Sequence, residues 1–360
     1  MSVQILDAMA RGGFEEVVAL NEPSSNLRGF LGIHDTSRGA AFGGIRRWRY
    51  RDESEALRDC LRLSRAMTQK CVLADLPAGG AKLVIEDRPD LDLERAYDHI
   101  GVVVERLGGR FFTGPDVGTG DRELSWVAGR TSYVTRPDET GPGELAEATG
   151  EGVFRSMETA LAHVDGEVDW PRRRIVVQGL GKVGTWLARR LVSTGATVLA
   201  AEVDSEIAHA VQRELDIELI EASRVYDVEC DVLSPNALGG ILHDLSIARL
   251  GCRMICGAAN NVLARPEHGQ RLSERGILFA PDFITGSGAL IRGVLFHLEN
   301  RREPVEAIGR RVGATLGRVL ELADERGESP ANVAVEEADA LIRAGREDAE
   351  RWRRVEDPGV

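Results

Sequence analysis

Cysteine pairs of the CxxC type, which build many zinc sites, are missing from this 360-residue sequence. The seven histidines stand in no ligand spacing either, so the sequence predicts no metal site. The five cysteines lie among apolar neighbours, at positions 60, 71, 230, 252 and 256. An odd number argues against a disulfide framework, and we expect reduced thiols in the core of a cytoplasmic protein.

Long apolar runs and a basic excess are also missing. No uninterrupted apolar stretch is long enough to span a bilayer. The formal net charge of −13 and the pI near 5.2 argue against a surface that neutralises nucleic-acid phosphates or anionic lipid. The start, MSVQILDAMARGGFEE, lacks a basic region followed by an apolar run, which predicts no secretion signal. We therefore expect neither a nucleic-acid nor a membrane partner.

The length exceeds the size at which a single core usually stops growing, which predicts two domains. A stretch rich in Gly, Pro and acidic residues, 136–152, predicts the hinge region between them. We place the two domains at 1–145 and 146–320. The charged helical stretch at about 320–360 is expected to pack back on the first domain.

The first half contains strand patterns followed by one long helix pattern. EVVAL (16–20) and RGFLGIHD (28–35) predict strands, and FGGIRRWRY (42–50) predicts a glycine-opened loop and a strand. The segment 53–70 has apolar residues on one helical face, acids at its start and basic residues towards its end. Lys70 is therefore expected at or just past a helix end.

A second lysine follows a glycine pair in LPAGGAK, residues 76–82. Because glycine lets a ligand approach the backbone closely, we expect Lys70 and Lys82 to face one small cleft. There one lysine can hold a substrate carboxylate as a cation, while the other can lose its proton and act as a general base. The alternative is that both are surface lysines.

The second half alternates apolar runs with amphipathic helices, which is typical of a parallel sheet covered on both faces. After the first run, QGLGKVG gives the G-x-G-x-x-G spacing with Gly179, Gly181 and Gly184. These glycines suit a tight turn, a close approach to a pyrophosphate, and helix packing on the strand. Glu202 ends the next strand, where an acid binds ribose hydroxyls and repels a 2′-phosphate, so we expect NAD rather than NADP.

Nine motifs occur in the order known from one enzyme family: GGIRRW, AMTQK, LPAGGAK, TGPDVGT, EATGEGV, QGLGKVG, SPNALGG, GAANN and APDFITGSG. From about residue 14 to 325, the sequence resembles the amino-acid dehydrogenases of the glutamate, leucine, valine and phenylalanine type. The leucine/valine/phenylalanine branch is the most similar. The resemblance implies an α/β fold of two domains with a cleft between them, in a homo-oligomer. The domain at 1–145 would be the substrate-binding and oligomerisation domain, and the domain at 146–320 would be a Rossmann-type dinucleotide-binding domain for NAD. It also implies NAD-dependent oxidative deamination of an L-amino acid, which releases a 2-oxo acid and ammonium.

On the substrate side, the resemblance implies that Lys70 binds the carboxylate, that Lys82 is the general base and that Asp116 is its acid/base partner. Asn261 would orient the carboxylate, which the backbone at Gly43 and Gly44 would approach. From the residues alone, Asp116 has the alternative of a turn acid or helix cap. Asn261 and its neighbour Asn260 have the alternative of capping a following helix.

On the cofactor side, the implied contacts are Thr149 near the nicotinamide amide and Asn236 and Ala237 near its ribose. The other predicted cofactor contacts are the residues of the glycine turn, the acid that ends the next strand and the first asparagine of GAANN. They are Gly179, Leu180, Gly181, Lys182, Val183, Gly184, Glu202 and Asn260. Thr149 also has an alternative, the cap of a helix that begins at GEGVFRSMETA.

The implied side-chain pocket consists of residues matching Phe42, Gly114, Leu290 and Gly293, none of them charged. An apolar amino acid of the Leu, Val, Ile or Phe type is therefore expected, because a second carboxylate would be desolvated without a partner. Gly286 stands where the branch usually carries an asparagine. That departure leaves two alternatives: a weak or regulatory NAD-binding homologue, or an oxidoreductase for a non-standard amino acid or a hydroxy acid.

Overall fold

The chain folds into two units, each built around its own six-stranded sheet. The computed structural model describes residues 4–136, 138 and 140–356. The first unit contains the described residues up to Gly143, then Gly293–Arg302 and the described residues from Ala338 onward. The second unit contains Glu144–Arg292 and Glu303–Glu337. That the first unit binds substrate and the second binds the dinucleotide stays a prediction.

The first unit has a mixed sheet. Its strands are β1 (Glu16–Glu22), β2 (Leu27–Asp35), β3 (Ala41–Phe42), β4 (Ile45–Trp48), β5 (Gly79–Glu86) and β6 (Phe111–Phe112). The order is β1-β2-β5-β3-β6, and β4 also pairs with β5. The pairs β1–β2 and β2–β5 are antiparallel, whereas β3 and β4 run parallel to β5. The predicted strands at 16–20 and 28–35 are thus confirmed, and the 42–50 segment forms two short strands.

Helices cover both faces of this sheet. They are α1 (Ile5–Gly12), α2 (Glu53–Leu73), α3 (Leu93–Arg106) and α4 (Asp121–Ala128). Alternate strand residues such as Leu31 and Leu83 pack with Tyr97 of α3, while Phe30 and Val84 pack with α2 on the opposite face. The α2 helix begins after Asp52, whose carboxylate accepts a hydrogen bond from Glu55 N at 2.8 Å. The predicted helix at 53–70 is confirmed and extends to Leu73.

The second unit has an entirely parallel sheet. Its strands are β7 (Arg174–Gln178), β8 (Thr197–Ala201), β9 (Glu218–Leu219), β10 (Cys230–Pro235), β11 (Cys252–Ile255) and β12 (Leu278–Phe279). The order is β12-β11-β10-β7-β8-β9. The chain therefore winds outward from β7 in one direction and from β10 in the other. This doubly wound order places the binding crevice at the carboxyl ends of β7 and β10, where the order reverses.

Among the described residues, nine α-helices follow the first unit's four along the chain. They are α5 (Leu145–Asp165), α6 (Lys182–Val192), α7 (Ser205–Leu215), α8 (Asp244–Arg249), α9 (Glu267–Glu274), α10 (Asp282–Thr285), α11 (Gly288–Glu299), α12 (Val305–Arg326) and α13 (Pro330–Glu356). Two of them contribute to both units: α11 changes unit at Gly293 and α13 at Ala338. The predicted α/β class with a Rossmann-type second sheet is confirmed.

The predicted hinge at 136–152 is wrong from Leu145 onward, because α5 begins there. The two glycines of this stretch that lie inside α5 allow the helix to pack closely. A Cβ on Gly150 would lie 2.4 Å from Cε3 of Trp186, and one on Gly152 would lie 3.2 Å from the Thr285 carbonyl oxygen. Positions 137 and 139 of the predicted hinge lie outside the described residues.

Candidate active site and cofactor-binding turn

The glycine pair of LPAGGAK opens strand β5 and allows it to pack closely. A Cβ on Gly79 would lie 1.7 Å from the Asp35 carbonyl oxygen, and one on Gly80 would lie 2.1 Å from Thr68 N. Neither glycine has a positive φ. The neighbouring backbone, rather than a ligand as predicted, occupies this space. The pair therefore fixes β5 against β2 and α2, and with it the position of Lys82.

The two lysines are buried, which contradicts the surface alternative. Lys70 lies in the last turn of α2 and is 7% exposed, and Lys82 lies on β5 and is 5% exposed. They come from adjacent elements, since Thr68 of α2 touches Gly80 of β5. Burial of a cation is costly unless it is paired or used.

Lysine is also rare in this chain: only three of the 45 basic residues are lysines, at 70, 82 and 182. All others are arginines, which do not release their proton at physiological pH. The two buried lysines are thus among the few cations of this chain that can act as a base. This scarcity is a sequence signal for their function, independent of the motifs.

Asp116 joins Lys82 from a separate loop between β6 and α4. Its Oδ2 lies 2.9 Å from Lys82 Nζ, and its carboxylate is 12% exposed. The backbone does form a turn, with Thr119 N donating to Asp116 O at 2.9 Å. The side chain caps no helix, however, because α4 begins after Gly120 and Glu123 accepts from Gly120 N. The cap alternative is therefore wrong.

Two cations set the charge state of Asp116. Burial raises the pKa of this carboxyl, but Lys82 and Arg46 lower it by more, and the pKa of Asp116 falls to about 2. Asp116 is thus a carboxylate at neutral pH. In that state it can accept a proton or a hydrogen bond.

Arg46 was not predicted as a site residue. Its Nε donates to Asp116 Oδ2 at 2.9 Å. Burial lowers the pKa of Arg46, but the carboxylates of Asp116 and Asp59 raise it above its ordinary value. Arg46 lies within the quoted motif GGIRRW, and the two-residue period of a strand places it on the same side as Gly44. That period is the only signal by which the sequence could have indicated it.

Gly43 and Gly44 lie beside this group. A Cβ on Gly43 would lie 1.7 Å from the Ala81 carbonyl oxygen, and one on Gly44 would lie 3.0 Å from Cβ of Asp116. Both glycines therefore have a packing reason that the sequence did not show. Their contact with a substrate carboxylate stays a prediction.

Aromatic rings lie beside Phe42, one of the predicted side-chain pocket residues. Phe42 stacks on Phe112 with ring centroids 4.8 Å apart, and His297 lies 4.8 Å from Phe112. His297 Nε2 is 3.0 Å from Thr135 Oγ1. Burial lowers the pKa of His297 to about 4, so the imidazole is neutral at pH 7.

Two predicted pocket glycines face the same threonine. A Cβ on Gly114 or on Gly293 would lie 3.4 Å from a carbon of Thr135. Leu290 lies on α11 three residues before Gly293 and belongs to the second unit. Sequence reasoning named these glycines but missed Thr135, because the threonine lies in a segment without a motif.

The glycine turn of the second unit has the geometry expected of a pyrophosphate site. Gly179 has φ of +93°, which favours glycine. Gly181 precedes α6, and a Cβ built on it would have nothing within 4 Å. A Cβ on Gly184 would lie 1.9 Å from the Gly179 carbonyl oxygen. The backbone at Gly181 is thus open to an anion at a helix N-terminus, which Lys182 and Val183 begin.

Glu202 supports this turn from the end of β8. Its carboxylate accepts hydrogen bonds from the backbone nitrogens of Leu180 at 2.7 Å, Val203 at 2.7 Å and Asp204 at 3.0 Å. The carboxylate therefore contacts the glycine turn from the end of the neighbouring strand, where the sequence predicted an acid.

Asn236 and Ala237 follow β10, the strand adjacent to β7. Asn236 N donates to Gln178 O at 2.7 Å, and a Cβ on Gly179 would lie 2.8 Å from Ala237. The amide of Asn236 is held by Ser234 and Ala258. The structure thus brings both residues to the glycine turn, at the point where the strand order reverses.

The cap alternatives for Asn260 and Asn261 are wrong, because the next helix, α9, begins only at Glu267. Asn261 has φ of +55° and its carbonyl accepts from Gly240 N at 2.7 Å. Its backbone conformation is thus one that asparagine tolerates better than most residues. Its contact with the substrate stays a prediction.

Thr149 caps no helix either, since α5 begins at Leu145. Its hydroxyl donates to the Leu145 carbonyl at 3.1 Å and accepts from Ala289 N at 3.3 Å. Gly286 ends α10, with its nitrogen donating to Asp282 O at 2.9 Å. Thr149 and Ala289 thus join α5 to the start of α11, close in sequence to Gly286.

Other groups offer no additional centre. Among the described residues, no cluster of three or more His, Cys, Asp or Glu side chains is placed to hold a metal ion. The five cysteines are buried and unpaired, which confirms the prediction of core thiols. Burial raises the pKa of Cys60 and of Cys71 to about 12. In the described part of the chain, no helix could cross a membrane.

Comparisons with known proteins find relatives of the whole chain and of its two parts. Residues 16–133 match the family model "Glu/Leu/Phe/Val dehydrogenase, dimerisation domain", and residues 141–210 match "Glutamate/Leucine/Phenylalanine/Valine dehydrogenase". The chain is 36% identical over 292 residues to leucine dehydrogenase of Thermoactinomyces intermedius, with 80% of both chains covered. It is 38% identical over 289 residues to phenylalanine dehydrogenase of Caldalkalibacillus thermarum, with 77% of both covered.

A solved structure shows the same likeness over nearly the whole chain. The crystal structure of L-tryptophan dehydrogenase from Nostoc punctiforme superposes with a TM-score of 0.81 at 32% identity. It covers 95% of this chain and 99% of that one. These matches confirm the resemblance found in the motifs, and the chain belongs to the glutamate/leucine/phenylalanine/valine dehydrogenase family of amino-acid dehydrogenases.

Proposed function

We propose that this enzyme oxidises an apolar L-amino acid, with NAD⁺ and water, to the 2-oxo acid, ammonium, NADH and a proton, and that it catalyses the reverse reductive amination. The observation that carries the proposal is the buried pair of Lys82 and Asp116, 2.9 Å apart. A carboxylate and a lysine in contact supply the two proton acceptors that this reaction requires: one for water and one for the amino group.

Lys70 would hold the substrate carboxylate. It is buried at the end of α2, where a desolvated ammonium attracts an anion more strongly than it would in water. The backbone at Gly43 and Gly44 and the amide of Asn261 would complete the carboxylate contacts. This assignment rests on the motifs AMTQK, GGIRRW and GAANN.

Lys82 and Asp116 would divide the proton transfers. Asp116 is ionised at neutral pH and would take the proton that the substrate ammonium releases. Lys82 in its neutral form would take a proton from the water that attacks the imine carbon. In the reverse direction, each group returns its proton. The contact between them allows a proton to pass from one to the other.

Family membership implies a nicotinamide dinucleotide, and the second unit suits one. The open backbone at Gly181 and the start of α6 would hold the pyrophosphate, and Asn236 and Ala237 would lie near the nicotinamide ribose. When bound, the oxidised cofactor accepts a hydride from the substrate Cα. We propose NAD rather than NADP because the carboxylate of Glu202 disfavours a 2′-phosphate.

The side-chain pocket favours an apolar substrate. The groups in contact with Phe42 are aromatic or neutral, since His297 is unprotonated at pH 7. A glutamate side chain would lack a cationic partner there and would be desolvated at a cost. Glycine at 114 and 293 leaves room beside Thr135, which also admits aromatic substrates.

A homo-oligomer and a cytoplasmic location complete the proposal. The name of the family model for residues 16–133 includes a dimerisation domain. Light scattering tests the assembly directly, and a monomer mass at working concentration contradicts it.

NADH formation from a panel of L-amino acids, followed by absorbance at mildly alkaline pH, tests the function. NADP⁺ is tested in parallel. We expect turnover with Leu, Val, Ile, Met or Phe and none with Glu. Lys82→Ala should lower kcat by a factor of about 10²–10⁴ without weakening NADH binding, because it removes a proton acceptor and none of the predicted cofactor contacts.

Lys82→Arg serves as the matched control for that variant. It keeps a cation beside Asp116 but cannot act as a base at working pH, so it should be as inactive as Lys82→Ala. Folded, NADH-binding wild-type protein that oxidises no amino acid contradicts the proposal. Reduction of a 2-oxo acid without ammonium would instead indicate a hydroxy-acid enzyme.

A further inference from the structure

Arg46 and Lys82 contact the same carboxylate. Arg46 donates from Nε to Asp116 Oδ2 at 2.9 Å and from Nη2 to Oδ1 at 3.5 Å, while Lys82 Nζ lies 2.9 Å from Oδ2. The Arg46 side chain is 14% exposed. A guanidinium keeps its proton, whereas an ammonium can release one. Asp116 therefore keeps one cationic partner when Lys82 is neutral.

A second group of side chains also holds the Arg46 guanidinium. Its Nη1 donates to Asp59 Oδ2 at 3.3 Å, and the Tyr50 hydroxyl donates to the same oxygen at 2.8 Å. Arg62 donates to the other oxygen of Asp59 at 2.6 Å. Because Asp59 lies on α2 and Arg46 on β4, two elements fix the guanidinium in place.

When Lys82 is protonated, the two cations Arg46 and Lys82 balance the two carboxylates Asp116 and Asp59. Arg46 and Lys82 then face Asp116, and Asp59 lies behind Arg46 with Arg62 on its outer side. If Arg46 were absent, the carboxylate of Asp116 would pair with Lys82 alone. That pairing would hold the proton on Lys82 more tightly, and the loss of the neighbouring positive charge would act in the same direction.

We propose that Arg46 is a positioning residue, which keeps the Asp116 carboxylate charged and oriented while Lys82 releases and regains its proton. Asp59 and Tyr50 keep Arg46 in that position. This inference rests on the proposed function, since it gives Arg46 a part in the same reaction. A purely structural ion pair between β4 and α2 would leave the pH dependence of the rate unchanged.

Arg46→Gln tests the charge of the guanidinium. We expect the acid limb of the kcat profile to move upward by about one pH unit, so that kcat on that limb falls about tenfold. The KM for the amino acid should change much less, because Lys70 and not Arg46 holds its carboxylate. Arg49→Gln is the matched control: it lies on the same segment, is 82% exposed, pairs with Asp87 and should keep the wild-type profile.

Arg46→Lys tests the geometry of the guanidinium. It keeps a cation but cannot donate from two nitrogens at once, so kcat should fall with little movement of the pH profile. This variant also covers the case in which Arg46→Gln does not fold. Wild-type kcat in folded Arg46→Lys would overturn the positioning role.

The scarcity of lysine allows a direct readout. Protein labelled with ¹³C in lysine should give three side-chain NMR signals, and that of Lys82 is identified by its absence in Lys82→Ala. Its titration midpoint should rise by about one pH unit in Arg46→Gln and stay unchanged in Arg49→Gln. Equal midpoints in all three proteins would overturn the inference.

The two proposals fail in different ways. If wild-type protein oxidises no amino acid, the proposed function fails. If the wild type is active and Arg46→Gln keeps its kcat and pH profile, only the role of Arg46 fails. Thermal unfolding and NADH binding of each variant show that the comparison is made on folded protein.

Discussion

Asp116→Asn removes the negative charge that lies between two cations. In the wild type, burial raises the pKa of Asp116 while Lys82 and Arg46 lower it by more, and it falls from 3.8 to about 2. Asparagine keeps the size of the side chain but removes the carboxylate that pairs with Lys82, and it leaves Arg46 with Asp59 alone. We therefore expect the variant to lose both stability and activity at neutral pH.

The pKa difference sets the size of the pH-dependent effect. A lowering of about two units corresponds to about 2 kcal/mol of free energy of unfolding at pH 7. Because the folded-state pKa lies below the unfolded value, this stabilisation is fully present above about pH 5. It is lost as the pH falls towards 2, where Asp116 becomes neutral in the folded protein as well.

Urea unfolding followed by circular dichroism, at several pH values, measures this effect. The wild type should exceed Asp116→Asn by about 2 kcal/mol at pH 7 and by roughly 1 kcal/mol at pH 3. Leu124→Ala is the control, since it empties a fully buried apolar position without a titratable group. A difference for Asp116→Asn that stays constant with pH, as expected for Leu124→Ala, would refute the electrostatic reasoning.

Three further predictions concern the glycine turn of the second unit and Glu202 beside it. Glu202→Gln removes a charge but keeps an acceptor for Leu180 N. The proposed preference for NAD over NADP, measured as a ratio of Kd values, should therefore fall by roughly tenfold. An unchanged ratio would contradict the proposed role of the Glu202 charge. Gly184→Ala should cost about 1–3 kcal/mol of stability, because its Cβ would lie 1.9 Å from a carbonyl oxygen. Gly181→Ala should fold normally and bind NADH more weakly. Thermal unfolding measures stability and calorimetry measures NADH binding. A destabilised Gly181→Ala with normal binding, or a stable Gly184→Ala, would refute these roles of the two glycines.

Several features could be predicted because their causes are local in sequence. The turn from Gly179 to Gly184 joins one strand to the next helix, so its spacing alone assigns each glycine a role. Buried apolar runs separated by amphipathic helices likewise indicate a parallel sheet. Short motifs predicted Lys70 and Lys82 as site residues, and the rarity of lysine supports that prediction.

Other features depend on packing that no short segment contains. The glycines of EATGEG predicted a loop, but they lie inside α5, where Trp186 and Thr285 approach the helix closely. The cap alternatives for Thr149 and Asn261 failed for a related reason: the helix boundaries lie elsewhere.

By itself, the sequence determined the fold class, the glycine turn and the chemical character of the site, because residue type and short spacing are enough for these. Only the tertiary structure decided that Asp116 contacts both Lys82 and Arg46, the latter 70 positions away in the sequence. These contacts depend on how β4 pairs with β5 and on where the loop after β6 places Asp116. Pairing and loop return are set by the packing of the whole unit, and charges become coupled only when that packing removes them from water.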